Sequence, residues 1–73
     1  MERLTVTQQE IVDFVAEYVF EVGEPPTYDE IATGIGVAVR AVQYQLDKLE
    51  EAGVVKRERR NGRCVPRSLE VVS

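Results

Sequence analysis

The 73-residue sequence has no histidine, no tryptophan and a single cysteine, Cys64. Without histidine there is no imidazole base and no Ser-His-Asp triad. One cysteine makes neither an internal disulfide nor a zinc site. Disulfide scaffolds, zinc fingers and histidine-based catalysis are therefore excluded, and Cys64 reads as a small, partly buried residue. No pair of titratable groups has a base or metal partner, so no enzyme, catalytic residue, metal ligand or cofactor is expected. The longest apolar runs are three residues, as at 37–39, far below the ~20 that span a membrane. The opening MERLTVTQQE shows no apolar stretch behind a basic patch, so no signal peptide is expected and a cytoplasmic location is. What remains is an ordinary globular composition, 44% hydrophobic and 30% charged, for one small domain over 1–73.

Charge is segregated. The net charge is −4, but residues 1–30 carry eight acids and one base, whereas 31–73 carry five acids and eight bases. Six bases (Lys56, Arg57, Arg59, Arg60, Arg63, Arg67) stand against the one acid Glu58 between positions 56 and 67. An acidic front and a basic back suggest one face that meets polyanions and another that does not.

Helical periodicity marks three segments. Thr7 with Glu10 forms a capping box, with Val6 and Ile11 as a hydrophobic staple; Thr5 with Gln8 is a second candidate box. Ile11, Phe14, Val15, Tyr18, Val19 and Val22 make one apolar stripe, Gly23 closes the helix, and Phe20 falls on the opposite, exposed side. After Pro25-Pro26, Thr27 and Glu30 open a short second helix with Ile31, Ala32 and Ile35 inward, punctuated by Gly34 and Gly36. A third helix runs from Val39 to Ala52. It buries Val42, Leu46 and Leu49 and exposes Arg40, Gln43, Tyr44, Asp47 and Lys48. Its N-cap, Ala38, has no side-chain oxygen to offer, at a cost of about 1 kcal/mol relative to Ser.

Beyond Gly53, Asn61-Gly62 between strand-like runs predicts a hairpin with a two-residue turn. Continued along the strands, that turn pairs Arg60 with Arg63, Glu58 with Val65, Lys56 with Arg67 and Val54 with Leu69. The base of this hairpin is apolar and can dock on the helices. Its cationic tip projects, and Pro66 marks an edge strand.

Helix, helix, tight turn, helix and hairpin is the layout of a mainly α winged helix-turn-helix, three helices plus a two-stranded wing. The helical core is expected over 5–53 and the wing over 54–70. Duplex DNA is the expected partner, read at base edges by Arg40, Gln43 and Tyr44 and held at phosphates by Thr27, Lys48, Arg57, Arg59, Arg60 and Arg63. On an isolated helix Arg40 and Gln43 would read as a solvated face; the layout gives them a role. So small a reading surface expects two copies on a paired site, through Phe20 and its neighbours. Neither a membrane nor a small-molecule substrate is expected. A reading from another class is a protein-interaction module that docks through Glu10, Asp13, Glu17, Glu21 and Phe20; overall acidity favours it, whereas the basic hairpin favours DNA.

The stretch from Leu4 to Gly36, with G-E-P-P-T-Y-D-E-I-A-T-G-I-G, resembles the amino-terminal DNA-binding domain of the LexA family of bacterial SOS repressors, as does L-D-K-L-E-E-A-G-V-V (Leu46 to Val55). The resemblance implies the winged fold and a sequence-specific, DNA-binding regulator, a repressor. It assigns base reading to Arg40, Ala41, Gln43 and Tyr44, which are not the family's usual residues there. The turn G-V-A-V-R-A-V is one residue shorter than is typical, with Ala38 and Val39 where serine is common. That family's self-cleaving serine–lysine dyad is not carried over, since the only serines are Ser68 and Ser73.

Overall fold

The computed structural model describes residues 4–65 and 67–72. The first helix, α1 (Val6–Val22), starts from the earlier of the two capping boxes. Thr5 Oγ accepts from the Gln8 amide and Gln8 Oε1 accepts from the Thr5 amide, both at 3.1 Å. The Thr7–Glu10 box expected first is not used, because Thr7 lies inside the helix; the staple goes with it, and Val6 is 76% exposed. Gln8 is the better partner because its amide also donates to Gln45 Oε1 at 3.0 Å, linking this cap to the third helix. Ile11 and Val15 are buried, but Val19 and Val22 are not, so the apolar stripe stops short of its expected end. At 17 residues, α1 outruns the 8-residue second helix, and its last turns overhang the core. Phe20, on the outer face, is 91% exposed.

Helix α2 (Tyr28–Ile35) opens on the Thr27–Glu30 capping box and ends at Gly36, whose φ of 79° is left-handed. Gly34 is not an end signal but an interior helical residue that lets the Phe14 ring approach. A Cβ there would fall on Phe14 Cε2 and Cζ. After the turn at 36–38, α3 (Val39–Glu51) begins without any side-chain cap at Ala38 and buries Val42, Leu46 and Leu49. These three close over Ile11, Val15, Ile31 and Ala32, and Val55 and Leu69 complete the core from the wing.

The wing departs from a simple hairpin. Strands β2 (Arg59–Arg60) and β3 (Arg63–Cys64) pair as expected about Asn61-Gly62, with Arg60 opposite Arg63 and the Val65 amide donating to Glu58 O at 2.8 Å. Nearer the helices the register changes. Strand β1 (Val55–Lys56) pairs with β4 (Glu70–Val71), placing Lys56 opposite Glu70, and Val54 O accepts from the Val72 amide. The expected Lys56–Arg67 and Val54–Leu69 pairs do not form. Between the two ladders the register shifts by three residues in favour of the returning arm. Arg67 takes a left-handed φ of 58°, and Ser68 Oγ closes the step by donating to Val65 O and accepting from the Glu58 amide, at 2.6 and 3.0 Å. The shift keeps Leu69 in the core and turns Arg67 toward α2. The edge-strand expectation at Pro66, and that for the Cys64 side chain, lie outside the described residues.

The contact at Gly34 gives a stability test. Helix propensity alone favours Gly34→Ala by about 1 kcal/mol. Displacing the Phe14 ring opposes it and costs about 1–3 kcal/mol, as other overpacked sites do. Gly34→Ala is expected to lower the midpoint of urea unfolding, opposite in sign to its propensity.

Candidate nucleic-acid interface

The residues expected to read bases come together. Arg40, Ala41, Gln43 and Tyr44 all lie exposed on α3, opposite Val42, Leu46 and Leu49. Arg40 is exposed and makes no ion pair among the described residues. Tyr44 is 59% exposed, and the Lys48 ammonium sits over its ring, 5.6 Å from the centroid. That contact lays Lys48 back along the helix instead of out from it. Gln43 stands at the mouth of an open groove of about 330 Å³ between the first turn of α2, α3 and the wing, lined also by Thr27, Arg57, Arg67 and Ser68.

The expected phosphate cations divide into two groups. Arg59, Arg60 and Arg63 occupy the exposed tip. Arg60 meets Glu58 loosely at 3.4 Å, while Arg63 has no ion pair among the described residues. Arg59 rests on Glu50 from a position 48% exposed. Arg57 is different. Its side chain is 3% exposed, Nη1 donates to the Tyr28 hydroxyl at 2.8 Å, and Nη2 donates to Asp47 and Glu50 at 2.7 and 2.8 Å. Burial alone would favour loss of its proton, but the bonds to Glu50, Asp47 and Tyr28 outweigh that and hold it charged. Reciprocally, the Arg57 bond holds the Glu50 carboxyl below its ordinary range. The geometry turns Arg57 inward, out of the phosphate set in which its neighbours placed it.

Thr27 also has an internal partner, since its hydroxyl accepts from the Glu30 amide at 3.2 Å. Glu30 accepts in turn from the Thr27 amide, from the Tyr18 hydroxyl and from Arg67, at 2.7, 2.8 and 2.9 Å. Arg67 also reaches Pro25 O and lies 3.5 Å from Glu24. Sequence reasoning missed this clamp between wing and α2, because the register shift that carries Arg67 there has no local signal. For Arg57 a signal exists: Asp47 and Glu50 stand three apart, on one edge of α3.

The clamp has a pH signature. The Thr27 amide, then the Tyr18 hydroxyl and Arg67, lower the Glu30 pKa from 4.5 to about 2. A carboxyl with a depressed folded-state pKa stabilises the fold fully above its unfolded value and loses that contribution as pH falls through its folded value. Melting temperature is therefore expected to fall between pH 4.5 and about 2. Glu30→Gln is expected to melt lower at neutral pH and to show a shallower fall across that window, measured by circular dichroism.

The LexA DNA binding domain family matches residues 1–64. The LexA repressor of Stenotrophomonas maltophilia (strain R551-3) is 47% identical over 55 residues, covering 74% of this chain and 26% of that protein. The LexA repressor of Bacillus mycoides (strain KBAB4) is 38% identical over 73 residues, covering 99% of this chain and 34% of that protein. The chain thus spans about a quarter to a third of the length of these curated relatives. With its capped α2, its exposed third helix and its basic wing, and with a family match over most of its length, the chain belongs to the LexA DNA-binding domain family.

Proposed function

We propose that the chain binds double-stranded DNA sequence-specifically and acts as a transcriptional repressor, in the cytoplasm with the nucleoid. The observation that supports this reading is the exposed face of α3 that carries Arg40, Ala41, Gln43 and Tyr44, in a chain whose wing tip exposes Arg59, Arg60 and Arg63. A major groove admits one helix, and the amino-terminal part of α3 is the part that helix-turn-helix proteins insert. Arg40 is the leading base reader, since its planar guanidinium matches the two acceptors on the guanine edge. Gln43 suits adenine, and Tyr44 with Ala41 suits a thymine methyl or the sugar-phosphate edge. Phosphates are held by Arg59, Arg60 and Arg63, with Lys48 behind Tyr44. Thr27 contributes the amide dipole of α2 rather than its hydroxyl, which the cap already uses. Two copies on a paired site supply the specificity that one small surface lacks.

Arg40→Ala is expected to weaken binding to a selected duplex by about 1–3 kcal/mol while binding to scrambled DNA barely changes. Competition titration on both duplexes measures this. Equal losses would assign Arg40 to the backbone. No loss on either would move recognition elsewhere and favour a protein partner at the acidic face of α1 around Phe20.

The wing acts differently. Replacing Arg59, Arg60 and Arg63 by Ala is expected to weaken binding to all duplexes alike. It should also flatten the dependence of log K on log salt by about 0.9 per lost phosphate contact. A salt titration of the triple variant checks it, and an unchanged slope would take the wing off the backbone.

A further inference from the structure

Arg57 lies where the chain leaves the β1–β4 ladder and enters the projecting β2–β3 hairpin. The register changes at that same level, and the two ladders are separate sheets. Among the described residues no continuous ladder runs from the body out to the tip. Side-chain ties must set the angle at which the tip stands. On the returning arm the tie is Arg67 on Glu30. On the outgoing arm it is Arg57, whose one guanidinium reaches Tyr28 in the first turn of α2 and both Asp47 and Glu50 on α3.

Stability alone does not explain a charge there. The Arg57 side chain is 3% exposed, and its Nε is buried without a partner among the described residues. Apolar side chains of similar volume in place of the whole ion pair would escape that desolvation cost. What only the guanidinium supplies is a planar fork with fixed bond directions, which an ammonium or a thioether cannot copy. It is aimed at both helices of the helix-turn-helix at once.

We infer that Arg57 is a positioning residue for duplex recognition: it holds the wing tip at the angle from α3 that lets tip and reading helix engage one duplex together. The inference rests on the DNA-binding reading above. Specific binding requires phosphates at Arg59, Arg60 and Arg63 and base edges at Arg40 and Gln43 to be met simultaneously. A rigid link makes the second contact effectively intramolecular, and a loose one lowers its effective concentration. Non-specific binding has no such requirement, because either surface can hold phosphates by itself.

The test compares wild type, Arg57→Met and Tyr28→Phe on a selected and a scrambled duplex over a salt series, with melting curves for each. Arg57→Met is expected to melt cooperatively, to lower the selected-to-scrambled affinity ratio about tenfold, and to show a shallower salt slope on the selected duplex only. Tyr28→Phe removes one of the hydroxyl-mediated ties without threatening the fold. It is expected to lower the ratio in the same direction by about threefold, which keeps the test open should Arg57→Met fail to fold. An unchanged ratio in a folded variant overturns the role while leaving the DNA reading intact. So do equal losses on both duplexes, which would make Arg57 an ordinary phosphate contact. Wild-type protein that binds no duplex overturns the DNA reading itself, and this role with it.

Discussion

A chain of net charge −4 can approach a polyanion only if its charges are sorted in space. The fold sorts them at two levels. Helical spacing puts Asp13, Glu17 and Glu21 on the exposed side of α1. Pairing then removes acids that would otherwise stand near the basic surface: Glu30 is held by Arg67, and Glu50 by Arg57 and Arg59. Each such pair also withdraws a cation, so a count of basic residues between 56 and 67 overstates the charge offered to a ligand. What stays outward is concentrated at the tip and on Arg40, where field and geometry coincide.

The same pairs solve a mechanical problem. A two-stranded hairpin is marginal by itself in water, and this one is cut off from the body ladder by a register shift of three residues. Its apolar base contributes Val55 and Leu69 to the buried core, with Val54 and Val71 packed against it. Arg57 and Arg67 therefore tie the two arms to two different helices, α3 with α2 for the first arm and α2 for the second. Ser68 holds the arms together between those ties. The left-handed backbone at Arg67 follows from this arrangement, since a regular strand would point its side chain elsewhere.

Features set by neighbours in sequence were legible. The Thr27–Glu30 box, the helix-ending glycines at 23 and 36 and the Asn61-Gly62 turn depend on contacts between near neighbours in sequence, and the buried face of α3 follows from helical spacing; all appear as expected. Where two local signals competed, a distant partner decided: the Gln8–Gln45 bond favours the Thr5 box over the Thr7 box. Gly34 was legible as a break but not as the bed of an aromatic ring thirty-odd degrees out of plane with its neighbour Tyr18. The register step was not legible at all, because extrapolating a ladder from its turn assumes that no residue is inserted.

For the candidate site the division runs between position and role. Periodicity suffices to put Arg40, Ala41, Gln43 and Tyr44 on one exposed face, because a helix turns by a fixed angle per residue. It does not suffice for arginines on a hairpin, where alternation of faces is undone by each inserted residue. Arg57 and Arg59 are two apart and would share a face in an unbroken strand, yet one side chain is 3% exposed and the other 48%. Both end on Glu50 from different sides of the solvent boundary. A carboxylate shared in this way ties an inner guanidinium, fixed by three acceptors, to an outer one that water can reach. The inner arginine neutralises Glu50 from the buried side, and the outer one meets the same carboxylate from solvent.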